Sequence, residues 1–82
     1  MEVKNNLINN IDNIHTTELG IERIKRNLKL DTEDIVVYCK NKILDKNCHI
    51  YQQGKNWYCE IDNIIITVNV SAYTIITAHI IN

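Results

Sequence analysis

Trp57-Tyr58-Cys59-Glu60-Ile61-Asp62-Asn63-Ile64-Ile65-Ile66-Thr67-Val68 carries the pattern of a β-hairpin with one apolar face. Asp62-Asn63, set between two runs rich in Ile, Val, Tyr and Trp, fits a two-residue hairpin turn. That turn pairs Ile61 with Ile64, Cys59 with Ile66 and Trp57 with Val68, so these six side chains form one apolar face. Just upstream, Gly54-Lys55 fits a second two-residue turn with Gly at its first central position. It pairs Gln53 with Asn56, Tyr51 with Tyr58 and His49 with Glu60, all on the other side. Two independent turns thus agree on which face of the sheet is wet.

Outward from this hairpin pair, the spacing gives strands at about Cys48–Gln53, Asn56–Ile61, Ile64–Val70 and Thr74–Ile80. The last connection has two readings. A two-residue loop at Ser71-Ala72 would turn Tyr73, Ile75, Thr77 and His79 toward the core. A three-residue loop, Ser71-Ala72-Tyr73, sets Val70 opposite Thr74, points Thr74, Ile76, Ala78 and Ile80 inward, and leaves Thr77 and His79 outside. The second is favoured because it buries two isoleucines and an alanine instead of a histidine.

Upstream of Asp45 the apolar period is near four rather than two. Val3, Leu7, Ile8, Ile11 and Ile14 mark a helix over about Glu2–Asn13, whose Asn-rich far side makes it dependent on packing. Thr17 is an N-cap for a helix over Glu18–Leu28 with a buried line of Leu19, Ile21, Ile24 and Leu28 and a Glu22–Arg26 pair. Gly20 inside it costs about 1 kcal/mol relative to Ala, which calls for a close neighbouring backbone or an irregular helix start. Ile35, Val36, Cys39 and Ile43 line a third helix over about Thr32–Leu44. The expectation is one α+β domain spanning residues 1–82, with two to three helices packed on one face of a four-stranded antiparallel meander.

Composition narrows the function without naming it. No apolar run reaches the roughly 20 residues of a membrane span, and the start lacks the pattern of a secretory signal, so a cytosolic protein is expected. Three cysteines, Cys39, Cys48 and Cys59, with no C-x-x-C pair, read as buried thiols rather than a disulfide framework or a zinc site. A net charge of -1 disfavours nucleic acid as the partner. The charges are uneven, however: Arg23, Lys25, Arg26 and Lys29 outweigh Glu18 and Glu22 along the second helix, which is either a solvated helix face or a basic contact surface.

On the open side of the sheet, three rows are expected: His49, Glu60, Ile65 and His79; Tyr51, Tyr58, Thr67 and Thr77; Gln53, Asn56, Asn69 and Ile75. His49, Glu60 and His79 are the candidate catalytic residues, an acid and base flanking a phosphodiester without metal; His79 would sit roughly 10 Å from Glu60. Tyr51, Tyr58, Thr67, Asn69, Tyr73 and Thr77, with Arg23, Arg26 and Lys55, are the candidate binding residues, and Trp57 near an edge adds an aromatic anchor. The ordinary alternative is that a one-sided antiparallel sheet simply shows polar residues to solvent. His15-Thr16-Thr17-Glu18 offers either an anion site at a helix start or plain capping.

The stretches His15-Thr-Thr-Glu-Leu-Gly-Ile-Glu-Arg-Ile-Lys, Gly54-Lys-Asn-Trp-Tyr, Ile66-Thr-Val-Asn and Tyr73-Thr-Ile-Ile-Thr-Ala-His resemble the marks of a short bacterial family, domain of unknown function 3781. The resemblance covers nearly the whole chain and departs at Ala72, where that family carries Ser. It implies a bacterial or phage origin and supplies no activity. The order of helices before a four-stranded sheet is also similar to small ribonuclease toxins of the barnase and RelE kind, a likeness of fold alone.

Three functions follow as expectations. The first is a non-catalytic binding module without cofactor, such as a phage or mobile-element accessory protein that inhibits a larger host defence protein. The second is a metal-independent endoribonuclease. The third is a homo-oligomer that sequesters a small ligand such as a nucleotide.

Overall fold

The structure, a computed structural model, describes residues 3–32 and 34–81. Its elements run α1 (Val3–Asn9), a 3-10 turn (Ile11–Asn13), α2 (Glu18–Leu28), α3 (Ile35–Leu44), β1 (His49–Gln53), β2 (Asn56–Ile61), β3 (Ile64–Asn69) and β4 (Ile75–Ile80). The strands form one antiparallel meander in the order β1-β2-β3-β4, the α+β architecture the sequence implies. Both hairpins have the expected register, with His49 opposite Glu60, Tyr51 opposite Tyr58, Cys59 opposite Ile66 and Ile61 opposite Ile64. Their turns explain it. Asp62 and Asn63 both take positive φ, 52° and 64°, and Gly54 takes 62°, the backbone twists that match two antiparallel strands.

Parity then decides burial. Trp57, Cys59, Ile61, Ile64, Ile66 and Val68 are all buried, and they meet Leu7, Ile14, Ile24, Leu28, Ile35, Cys39 and Ile43 from the helical side. α2 lies along β4, α1 against β1 and α3 over β2, so the helices form one layer on one face. Trp57 is 2% exposed and belongs wholly to this core, so it is not an aromatic anchor for a partner. Its indole N–H has no acceptor among the described residues.

Several boundaries differ from expectation. The first helix is cut short at Asn9, and the chain continues as a 3-10 turn; Glu2 lies outside the described residues. The third begins at Ile35 rather than Thr32, whose hydroxyl instead accepts the Asp34 N–H. Leu19 is not in the buried line of α2: it is 71% exposed, and the buried position is Gly20.

The larger correction lies in β4. Asn69 N–H donates to the Thr74 carbonyl and Tyr73 N–H to that of Asn69, so four residues, Val70 to Tyr73, form the loop instead of three. Asn69 Oδ1 holds it by accepting the N–H groups of Ser71 and Ala72 at 3.0 and 2.8 Å. Thr77 opposes Thr67 while Ile75 opposes Val68, so one extra residue, Ile76, makes a β-bulge. Beyond the bulge, parity inverts: Ile75 turns into the core at 1% exposure and Ile76 is left 40% exposed, the reverse of the expected register. Between the bulge and the strand end, Ala78 is inside and His79 outside as expected, while Ile80, expected inside, lies at the end of the sheet and stays exposed.

Candidate contact face

The open side of the sheet carries two complete cross-strand rows. His49, Glu60, Ile65 and His79 form one, and Tyr51, Tyr58, Thr67 and Thr77 the other. The third row ends differently, with Gln53, Asn56 and Asn69 followed by Thr74, because the bulge has taken Ile75 inside.

Glu60 is committed along a diagonal rather than to His49. Tyr51 Oη donates to Glu60 Oε2 at 2.9 Å. That bond first, then desolvation and the carboxylate's charge, holds the Tyr51 phenol above the ordinary tyrosine value. The Tyr51 ring stacks on Tyr58 with centroids 5.5 Å apart and meets His49 at 5.4 Å. Thr67, flanked by Tyr58 and Thr77, is 6% exposed and forms the floor between them. His79 stands exposed at the β4 end of its row, two strands from Glu60. In both rows only Glu60 bears a formal charge. Stacked tyrosine rings beside a single partnered carboxylate share two features of interface centres, where charge is depleted and Tyr enriched.

The remaining candidates divide between other surfaces. Arg23 and Arg26 sit on α2, in the helical layer; Arg26 joins Glu22, Lys25 and Leu30 around an open, shallow groove. Lys55 is exposed in the β1–β2 turn, its carbonyl accepting Val70 N–H at 2.8 Å. Tyr73 has left the open face: its ring packs on Trp57 with centroids 5.4 Å apart, and its φ of 56° is left-handed. That conformation is costly for a non-glycine residue and is held by its N–H on Asn69 and its carbonyl on His15 N–H.

The side chains of His15, Thr16 and Thr17, which could have taken an anion, are engaged within the fold. His15 forms a parallel bridge with Thr74, giving its carbonyl to Ile75 N–H at 2.8 Å, and its ring meets Thr74 Oγ1 at 3.1 Å. Thr16 Oγ1 donates to the Ile75 carbonyl at 2.9 Å, and Thr17 Oγ1 caps α2 by accepting Gly20 N–H at 3.0 Å. Gly20 is required by that stitching: a Cβ there would fall on Thr16 Oγ1. The close neighbour is therefore a side chain, not the backbone the sequence suggests. The stretches beginning at His15 and Tyr73 are thereby one structural joint.

Cys39, Cys48 and Cys59 are all buried free thiols. Burial pushes Cys39 up to about 11, and the hydrogen bond with Cys48, then burial, raises Cys59 as well. Among the described residues no group of three or more His, Cys, Asp or Glu side chains is placed to hold a metal ion.

No helix among these residues is long and apolar enough to cross a membrane. Comparison with curated proteins finds no match, and neither does comparison with solved structures. A family model described as "Protein of unknown function (DUF3781)" matches residues 8–79, which takes in α2, α3 and nearly all of the sheet. The chain therefore belongs to the DUF3781 family.

Proposed function

We propose that this chain is a non-catalytic binding module that presses the open face of its sheet against a larger protein, in the manner of a phage or mobile-element accessory protein that blocks a host protein. The observation that carries the reading is the Tyr51–Tyr58 stack beside Thr77, over the buried floor of Thr67, a surface whose one carboxylate is already partnered. Such a surface loses little on desolvation and offers rigid rings, which is what a protein contact rewards. The partner it fits is a protein surface of low charge and many hydrogen-bonding groups.

The test compares stoichiometric co-purification by the intact chain and by variants on each surface. Tyr58→Ala and Thr77→Arg should release the partner, while Arg23→Ala with Arg26→Ala should keep it. Release by the α2 variants alone would move the contact to the basic helix. Absence of any partner, with no self-association, would contradict the reading.

The nuclease reading retains one favouring observation, that His49, Glu60 and His79 do share a row. Against it, the Glu60 carboxylate is bonded to Tyr51. Cleavage of tRNA or mRNA that His79→Ala abolishes would establish it over the binding module.

A further inference from the structure

The two edges of the sheet are treated differently by the fold. An edge strand presents unpaired N–H and C=O groups that template another strand, and proteins usually block it with Lys, Pro, a bulge or a covering segment. β4 is blocked: His15 bridges Thr74 just ahead of it and accepts the Ile75 N–H, Thr16 caps the Ile75 carbonyl, Asn27 Nδ2 caps that of Ala78 at 3.2 Å, and a bulge interrupts it. Among the described residues β1 has no side-chain cap, bulge, Lys or Pro, and α1 packs against it from the core side, where Leu7 is buried. Its sequence is His-Ile-Tyr-Gln-Gln, with no formal charge and no proline, and its register with β2 is unbroken.

Hairpin parity identifies which of its groups are free. A two-residue turn makes Gln53 and Asn56 a hydrogen-bonded pair, so Gln53, Tyr51 and His49 direct their backbone groups to β2. Ile50 and Gln52 must then direct theirs to the open edge. Neither backbone has a hydrogen-bond partner outside the β1–β2 ladder among the described residues.

We propose that this edge pairs with the same edge of a second copy, antiparallel about a two-fold axis at Tyr51. In that register Ile50 of one copy faces Gln52 of the other in a hydrogen-bonded pair, twice over, and every outward group of the two residues is used. Shifting the axis loses this. Centring on Ile50 would oppose Gln52 to Cys48, whose N–H is already bonded to Asp45, and centring on Gln52 would oppose Ile50 to the Gly54 turn. Tyr51 meets its own symmetry mate as a close non-hydrogen-bonded pair, and no like charges oppose each other along the strand. The result is a continuous eight-stranded sheet whose two open faces adjoin, with the Tyr51–Tyr58 stacks in line across the axis. The edge uses backbone atoms apart from the face proposed above, so either surface can fail without the other.

Pairing through one five-residue strand makes a small interface, and small interfaces are weak ones. Sedimentation of the whole purified chain at about 100 µM, a concentration that populates a dimer of about 10 µM dissociation constant, should give twice the 9.6 kDa chain mass. Gln52→Pro removes an outward N–H without touching the β1–β2 ladder and should lower association at least about tenfold with the circular dichroism unchanged. Tyr51→Cys should form a disulfide-linked dimer under mild oxidation, because the two residues face each other across the axis, whereas Gln53→Cys, opposite His49 of the other copy, should not. A chain that remains at the monomer mass at this concentration overturns the proposal, as does equal crosslinking of the two cysteine variants.

Discussion

Replacing Gly20 with alanine should destabilise this domain, opposite in sign to the usual effect in a helix. Alanine is favoured over glycine by up to about 1 kcal/mol in a helix interior. Here the new methyl would occupy the place of Thr16 Oγ1, which donates at 2.9 Å to the Ile75 carbonyl. Displacing that hydroxyl leaves a partly buried acceptor unpaired, a cost of about 1–3 kcal/mol. Set against the gain in propensity, the net loss is about 1–2 kcal/mol, at roughly 4–8 °C of melting temperature per kcal/mol for a domain of this size. The Thr16→Ala background isolates the cause. With the hydroxyl gone, the nearest polar atom to a Cβ at position 20 is Thr17 Oγ1 at 3.3 Å, so Gly20→Ala there should be neutral or stabilising by up to about 1 kcal/mol. Urea unfolding followed by Trp57 fluorescence reads all four proteins, with an unchanged slope required for the comparison. A stabilising Gly20→Ala in the native background, or the same effect in both backgrounds, would refute the stitching of His15-Thr16-Thr17 to β4.

Other consequences are open to similar tests. Ile75→Ala should cost about 2–5 kcal/mol and Ile76→Ala under about 1 kcal/mol, since the bulge buries the first and exposes the second; equal costs in thermal unfolding would remove the bulge. The three thiols should resist alkylation in the native state and react together on unfolding, and labelling of Cys39 without unfolding would count against its burial. Because Cys39 is held protonated up to about 11 while an unfolded thiol ionises near 9.0, the unfolded state binds fewer protons between those values. Stability should therefore be intact below pH 9 and fall toward pH 11 by about 3 kcal/mol from this group, and Cys39→Ala should flatten that slope in alkaline unfolding curves. Lys42→Met should cost less than about 1 kcal/mol despite the 2.6 Å contact with Asp62, because that pair lies in solvent; a larger loss by denaturant titration would give it a structural role.

The sheet was legible because its signals are local. Asp62-Asn63 and Gly54-Lys55 each fix a register over only two residues, and alternation of Trp57, Cys59 and Ile61 with Tyr58 and Glu60 does the rest. β4 was not, because its register rests on distant partners. Asn69 Oδ1 organises the four-residue loop, and His15 and Thr16, nearly sixty positions earlier, bond the strand where parity changes. Nothing in Tyr73-Thr74-Ile75-Ile76 distinguishes which isoleucine is inside once a bulge is allowed. Leu19 was misplaced for a related reason, since the helical period assigns it to the core but Gly20 is the residue brought against Thr16. Of the candidate site, the rows through Glu60 and Tyr58 followed from the turns. The diversion of Glu60 to Tyr51 and the withdrawal of Tyr73 onto Trp57 depend on side-chain packing that no spacing encodes.

The sheet sets an uncovered aromatic face opposite a helix-covered one. Solvent paramagnetic relaxation, with a soluble gadolinium chelate added to the isotopically labelled chain, reads both faces at once. The side chains of His49, Tyr58, Thr77 and His79 should broaden while Trp57, Cys59, Ile66 and Ile75 stay sharp; strong broadening of the Trp57 indole with protection of Tyr58 and His79 in the monomer would contradict it.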